Sequence, residues 1–240
     1  MPLIQNFGKN IWIVDGPKVK DMGFMFPTRM TIIRLSNDKL WISSPIPIKT
    51  QTLKKIKSLG KLSYLVVGTP RHLWRLESWN KKFPELKLWG PPQINGNFIT
   101  KSVLVGKADL PFEGVLSNNT PDIWSKDIEQ IIIEGNPFIK EVAFLHKKSK
   151  TLILDDLIQR YPIEKNKKIR NAFLKFEDML EPNGGVPKDI RLTFTNKEIT
   201  RKSIDKILKW NFNKLIIAHG KCIDKDAKSF VRNAFNWLRD

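Results

Sequence analysis

Apolar residues in the first 45 positions come in short, β-branched runs separated by turn formers, which is the rhythm of strands. Residues 10–15 (NIWIVD), 30–35 (MTIIRL) and 39–44 (KLWISS) predict three strands. The first two are joined by a Gly/Pro/Met-containing loop and the last two by an Asn37-Asp38 turn, an antiparallel meander. Pro45 and Pro47 in SSPIPI end it, because proline has no N–H for a central ladder. Leu53, Ile56 and Leu59 then recur at helical spacing, with Thr50 or Thr52 as cap and Gly60 beyond the end. Tyr64, Leu65, Val66 and Val67 are a continuous apolar run, a strand buried on both faces, stopped by Gly68, Thr69 and Pro70. A helix over residues 76–83 and a strand over 86–89 follow, up to Gly90-Pro91-Pro92.

Residues 93–121 carry little pattern beyond a short extended piece at 102–105. After them, residues 127–134 predict a strand, and EVAFLH and KTLILDD form a hairpin about a polar turn at 147–150. A helix over 165–180 places Ile169, Ala172, Phe173 and Phe176 on one face and ends at Pro182-Asn183-Gly184-Gly185. Thr195 and Glu198 have capping-box spacing ahead of a helix carrying Ile204, Ile207 and Leu208. Residues 214–218 (KLIIA) are a buried strand, and a last helix over 226–239 turns Phe230, Val231, Ala234, Phe235 and Leu238 inward. Strands first, then strands alternating with helices, define an α/β chain with a mixed sheet. No repeat of 20–50 residues interrupts the order, and the 240 residues are expected to form one domain.

Composition adds one feature. Lys and Arg number 42 against 24 Asp and Glu, a formal charge of +18 that favours polyanions: nucleic acid, an acidic membrane face or an anionic substrate. The lysines are spread along the whole chain, which equally suits a lysine-rich background composition. No apolar run reaches the ~18 residues of a membrane span, and the N-terminus lacks the order of a secretory signal. A lone cysteine, Cys222, leaves no internal disulfide. The expectation is a cytoplasmic protein without a transmembrane segment.

Candidate chemistry gathers where strands end. His72 follows the strand at 64–67, Asp156 ends the hairpin's second arm, and His219 ends the strand at 214–218. Imidazoles and a carboxylate delivered by separate strands to one rim of a sheet have the chemistry of a metal site. Each also has a bland reading, Asp156 as a cap for a helix near Leu157 and His219-Gly220 as a turn. Other features carry less. Cys222 reads as a packed thiol, His146 as a solvated hairpin residue, and the tryptophans at 74, 79, 89, 124, 210 and 237 as packing rather than base-stacking platforms. Gly184-Gly185 reads as a helix-ending loop, with an anion-binding nest as the alternative.

Together, NIWIVDGP, SPIPI, LVVGTPRHLWRLESW, GNPFIKEVAFLHKKSKTLILDDL and LIIAHG, in this order and spacing, resemble the metallo-β-lactamase superfamily over nearly the whole chain. Within it the match is to an uncharacterised bacterial branch, a domain of unknown function. The resemblance implies a four-layer αββα sandwich with mixed sheets and one or two metal ions at the common edge of the sheets. Of the first liganding motif, HxHxDH, the positions fall on Pro70, His72, Trp74 and Arg75, so one ligand is kept. The ligand histidine expected after Gly135 is Asn136, whereas Asp156 matches the bridging aspartate and His219 the last histidine. The implied reading is a degenerate site without a cofactor, in which Arg75 takes the place of the ion and pairs with Asp156. The alternative is a mononuclear hydrolase that holds one zinc or other divalent ion on His72, Asp156 and His219. There, Asp156 and His219 would serve catalysis while Arg71 and Arg75 steer a phosphoester or nucleic acid. Non-specific nucleic-acid binding through the basic surface is a third reading.

Overall fold

The computed structural model describes residues 3–21, 24–47, 49–92 and 110–239. Its first half contributes strands β1 (Ile4–Gly8), β2 (Ile11–Asp21), β3 (Phe24–Arg34) and β4 (Lys39–Ser43), helix α1 (Thr50–Lys57), strand β5 (Lys61–Val66), helix α2 (Leu76–Lys82), and strands β6 (Lys87–Gly90) and β7 (Phe112–Val115). These strands form one sheet in chain order, antiparallel from β1 to β4 and parallel from β4 to β7. The second half supplies α3 (Asp122–Ser125), β8 (Ile128–Ile133), β9 (Glu141–His146), β10 (Thr151–Leu154), α4 (Lys168–Phe176), α5 (Lys188–Leu192), α6 (Lys197–Lys209), β11 (Lys214–Ile217) and α7 (Ala227–Ala234). Its four-stranded sheet runs β11-β10-β9-β8, with only β10–β11 parallel.

Side-chain alternation explains why the sheets face each other. In β4, Trp41 points to one face while Leu40 and Ile42 point to the other; in β5 and just past it, Tyr64 and Val66 alternate with Leu65 and Val67. Trp41, Tyr64 and Val66 meet Val142, Phe144, Ile153 and Ile216 of the second sheet in a shared core. The Trp41 and Phe144 rings touch edge to face there, 5.0 Å between centroids. On the outer face of the first sheet, α1 and α2 cover Leu40, Ile42 and Leu65 with Leu53, Ile56, Leu76 and Trp79. On the outer face of the second, α5, α6 and α7 cover Ala143, Leu152 and Leu215. Helix, sheet, sheet, helix is the expected four-layer sandwich.

Several local expectations need correction. The strands at 10–15 and 30–35 run on to Asp21 and Phe24 as one long hairpin where a loop was expected. The segment expected to be helical over 165–180 is helical only over Lys168–Phe176. Asn196, not Thr195, caps α6, its side chain accepting from the Ile199 N–H at 3.0 Å. His146 is fully buried, with its Nδ1 2.7 Å from Ser149 Oγ, and burial pushes its imidazole down to about 4. The Gly184 and Gly185 N–H groups donate to Leu180 and Gln159 carbonyls, so neither remains for an anion nest. Trp79 and Trp124 are buried, and Trp89 packs edge-on against Trp124. The piece at 102–105 and the Trp74 side chain lie outside the described residues.

Candidate metal centre

The two sheets touch at their carboxyl ends through Gly68, whose carbonyl accepts from the Val142 N–H at 2.8 Å. A Cβ on Gly68 would stand 2.9 Å from the Val142 carbonyl oxygen, so only glycine permits this approach. Immediately beyond, Thr69 caps a 3-10 turn over Pro70–Arg75, its Oγ accepting from the Arg71 N–H. That turn aims His72, 2% exposed, across the gap toward the second sheet. Asp155 and Asp156 follow β10, and His219 follows β11. No helix begins near Leu157. The N–H groups of Asp155, Asp156 and Leu157 instead donate to the buried Glu141 carboxylate at 2.9, 2.7 and 3.0 Å. Glu141 thereby does for this loop what a cap does for a helix. Burial, added to by Asp156 and Asp155, pushes its carboxyl well up, with the backbone donors pulling the other way.

His72, Asp156 and His219 converge on one point. His72 Nε2 is 3.4 Å from His219 Nε2 and 3.4 Å from Asp156 Oδ1, and His219 Nε2 is 3.0 Å from the same oxygen. The other ring nitrogens are already committed. His219 Nδ1 donates to the Pro27 carbonyl at 2.7 Å. Ser44 Oγ donates to Asp155 Oδ1 at 2.8 Å, so its lone pair is what receives His72 Nδ1–H at 2.9 Å. With Nδ1 carrying a proton in each ring, an Nε2 that carries none turns its lone pair toward the Asp156 oxygen. Three acceptors this close require something positive among them, a shared proton or a cation. Four ligands tetrahedrally placed ~2.05 Å from a zinc ion stand ~3.3 Å apart, and the three separations observed are 3.4, 3.4 and 3.0 Å. The residues fit an ion.

Electrostatics supports the same assignment. Burial, then the Arg75 charge, pushes the His72 imidazole below its ordinary value and keeps its lone pair free. Burial alone would push Asp156 up. His72, hydrogen bonds from His219 and His72, and Arg71 outweigh it and hold Asp156 well below the carboxylate range. The part of that depression that does not depend on where the ring protons sit comes from Arg71. Thr69 Oγ donates to Asp156 Oδ2 at 3.0 Å and Arg71 Nε lies 4.0 Å from it, which leaves Oδ1 for the centre. Arg75 is buried in the field of Asp156 and Asp155, which raises its pKa against the stronger lowering by burial.

Three supporting residues were not legible in the sequence. Ser44 holds φ 52, a left-handed conformation rare for serine, and its N–H donates to Val66 across the strand end. Glu141 puts a carboxyl at the start of a strand whose next four residues are all apolar, the one signal that marked it. Arg29 of β3 reaches across to the His219 turn, donating from Nη1 to the Ile217 and Gly220 carbonyls at 2.7 Å each and pairing with Asp15. Asn136 is inside the fold but not at the centre. Its side chain donates to Thr193 Oγ at 2.7 Å and accepts from the Phe138 and Ile139 N–H groups, which uses it up in its own turn. Cys222 Sγ sits 3.1 Å from Arg29 Nη1, and burial pushes its thiol up.

This sandwich has the fold of the metallo-β-lactamases, as comparison with solved structures shows. A metallo-β-lactamase from Pontibacter korlensis superposes with a TM-score of 0.64 at 11% identity, covering 100% of both chains. One from Hirschia baltica gives 0.61 at 11% identity, over 98% of this chain and 97% of that one. The FIM-1 enzyme from Pseudomonas aeruginosa in its mono-zinc form gives 0.62 at 10% identity, over 99% and 92%. No curated protein sequence matches the chain. Residues 9–179 match the family model "Domain of unknown function (DUF4336)", and the chain belongs to that family.

Proposed function

We propose that the protein is a mononuclear metal-dependent hydrolase acting on an anionic substrate, with His72, Asp156 and His219 holding a single divalent ion. The observation that carries this reading is the triangle of Nε2, Nε2 and Oδ1 atoms, whose residues are braced from behind by Ser44, Pro27 and Thr69. Atoms 3.0–3.4 Å apart leave no room between them for a guanidinium, which argues against Arg75 taking the ion's place. Charge argues the same way. Asp155 and Asp156 lie buried in the field of Arg75, and an ion would add positive charge directly on the Asp156 carboxylate. The site is degenerate in the sense that it offers one set of ligands. Pro70 begins the turn, Asn136 is spent on Thr193 and two backbone N–H groups, and no second set gathers among the described residues.

A bound divalent ion would supply a Lewis acid and an activated water. The chain's own residues do the rest. Ser44 and Asp155 fix the His72 tautomer, while Thr69 and Arg71 orient Asp156. Arg71, with a side chain 30% exposed, stands at the rim where it can receive the anionic part of a substrate, and Arg75 adds a buried positive field behind it. A phosphoester is the substrate class these charges suit. The whole chain acts as one domain in this reading.

Metal titration of chelator-treated protein is the test. One equivalent of zinc or manganese should bind, and His219→Ala and Asp156→Ala should each abolish stoichiometric binding. Phosphodiesterase activity on a chromogenic diester should track occupancy. Wild-type protein that takes up no ion, or a His219→Ala variant that binds and turns over like wild type, would overturn the assignment.

A further inference from the structure

Helix α4 turns its apolar face to water. Ile169 is 87% exposed, Phe176 64% and Phe173 36%, and Ile163 just ahead of the helix is 59% exposed. At ~100° per residue, positions 169, 173 and 176 fall within an arc of ~60°. The single buried side chain of the helix is Leu174, which anchors it to Tyr161, Met179 and Phe26. Around this stripe stand Lys165, Lys167, Lys168, Arg170 and Lys175; the nearby acids are all engaged, Glu164 with Arg170 at 3.3 Å, Asp178 with Arg191 at 2.9 Å and Glu177 with the α5 backbone. Lys188 at the start of α5 extends the basic rim, its ammonium 4.4 Å from the centroid of the Phe176 ring. Glu177 locks the two helices together, accepting from the Lys188 and Asp189 N–H groups.

We propose that α4 docks this protein on an anionic lipid surface, its lysines on the headgroups and Ile169, Phe173 and Phe176 in the layer beneath. An exposed apolar stripe and a basic rim on one short helix match the two attractions such a surface offers together. Nucleic acid would satisfy the lysines but provides no apolar medium for an isoleucine 87% exposed. The net charge of +18 draws the whole molecule toward the same surface. Ring contacts connect the buried anchor of α4 to the candidate centre: Phe26, which packs in the same cluster as Leu174, meets Tyr161 at 5.9 Å and the His219 ring at 6.3 Å. The proposal stands independently of whether an ion is bound.

Flotation of the full chain with vesicles tests it. Binding to phosphatidylcholine vesicles carrying about one-third phosphatidylglycerol should be at least about tenfold stronger than to phosphatidylcholine alone. An Ile169→Ser, Phe176→Ser double variant should lose about tenfold of that binding. Its melting temperature should not change, since both side chains are exposed. Replacing Lys165, Lys167 and Lys168 by Glu should abolish binding. Equal partition onto neutral and anionic vesicles, or a double variant that floats like wild type, overturns the proposal. So does light scattering that finds a dimer which the double variant dissolves, because a second copy would then cover the face. Tighter binding of a single-stranded oligonucleotide than of vesicles, lost in the double variant, overturns it as well.

Discussion

Removing the Ser44 hydroxyl separates two effects that the structure places in one residue. Ser44 Oγ joins His72 Nδ1 to Asp155 Oδ1 through contacts of 2.9 and 2.8 Å, all three residues being buried. Without it, a buried imidazole N–H and a buried carboxylate oxygen both lose a partner, at ~1–3 kcal/mol for each unsatisfied group. Ser44→Ala should therefore destabilise the metal-free protein by ~3 kcal/mol, after some relaxation of His72 toward Asp155, 3.8 Å away. Ser44→Gly loses the same hydroxyl but relieves the left-handed backbone at φ 52, worth ~1 kcal/mol, and should be the more stable of the two. Both variants free the His72 ring to rotate or change tautomer, and both should weaken zinc binding ~10–100-fold. Urea unfolding in the presence of a chelator reads the first quantity, and competition with a chromophoric chelator reads the second. A glycine variant less stable than the alanine one would refute the strain argument. Wild-type zinc affinity in either variant would refute the bracing of His72.

Other substitutions probe the surroundings of the centre. Glu141→Gln puts an amide N–H against a cluster of three backbone donors, and should cost ~2–4 kcal/mol in urea unfolding while weakening metal binding. His146 makes stability depend on pH. With its folded pKa near 4, lowered by burial and then by Lys148 against the opposing pull of Asp127, the unfolded chain binds the extra proton below pH ~6.5. Stability should thus fall by ~3 kcal/mol between pH ~6.5 and ~4, and His146→Gln should flatten that part of the profile; an unchanged slope would discount the residue. Asn136→His supplies the ligand histidine that the resemblance led one to expect there, yet breaks three hydrogen bonds of a turn, so it should lower the melting temperature and leave metal stoichiometry at one. A second equivalent of bound ion would show the turn to be more forgiving than its contacts imply.

Much of the sandwich could be read from period alone. The β9–β10 hairpin and β11 announce themselves because their residues are apolar on both faces, being covered by a sheet on one side and helices on the other. Strand β1 stayed hidden since an edge strand with no buried residue has no period to detect, and four-residue β7 is too short to show one. The face of α4 was visible as a stripe, but a stripe does not say whether protein or solvent lies against it. Within the centre, His72, Asp156 and His219 were recognisable by their positions after strands. Their supports were not, because a serine 28 residues from His72 and 111 from Asp155 acquires its role only when the sheets have met. Asn136 illustrates the opposite limit: its position in a motif said what it had replaced, and only its three partners said what it does instead.

His72 belongs to the half of the chain that ends with β7, whereas Asp156 and His219 belong to the half that begins with α3. Neither half holds a complete site, and Arg29, crossing from β3 to the His219 turn, is a permanent rivet at the same seam. An ion held by these residues is therefore a clasp between two halves rather than an ornament on one of them. Its binding energy goes directly into keeping the seam shut. Amide exchange at the ends of β5 and β11 should slow on loading while the outer helices exchange as before. The same layout makes the protein a natural candidate for splitting in the stretch between β7 and α3, with reassembly of the pieces becoming a metal-dependent event.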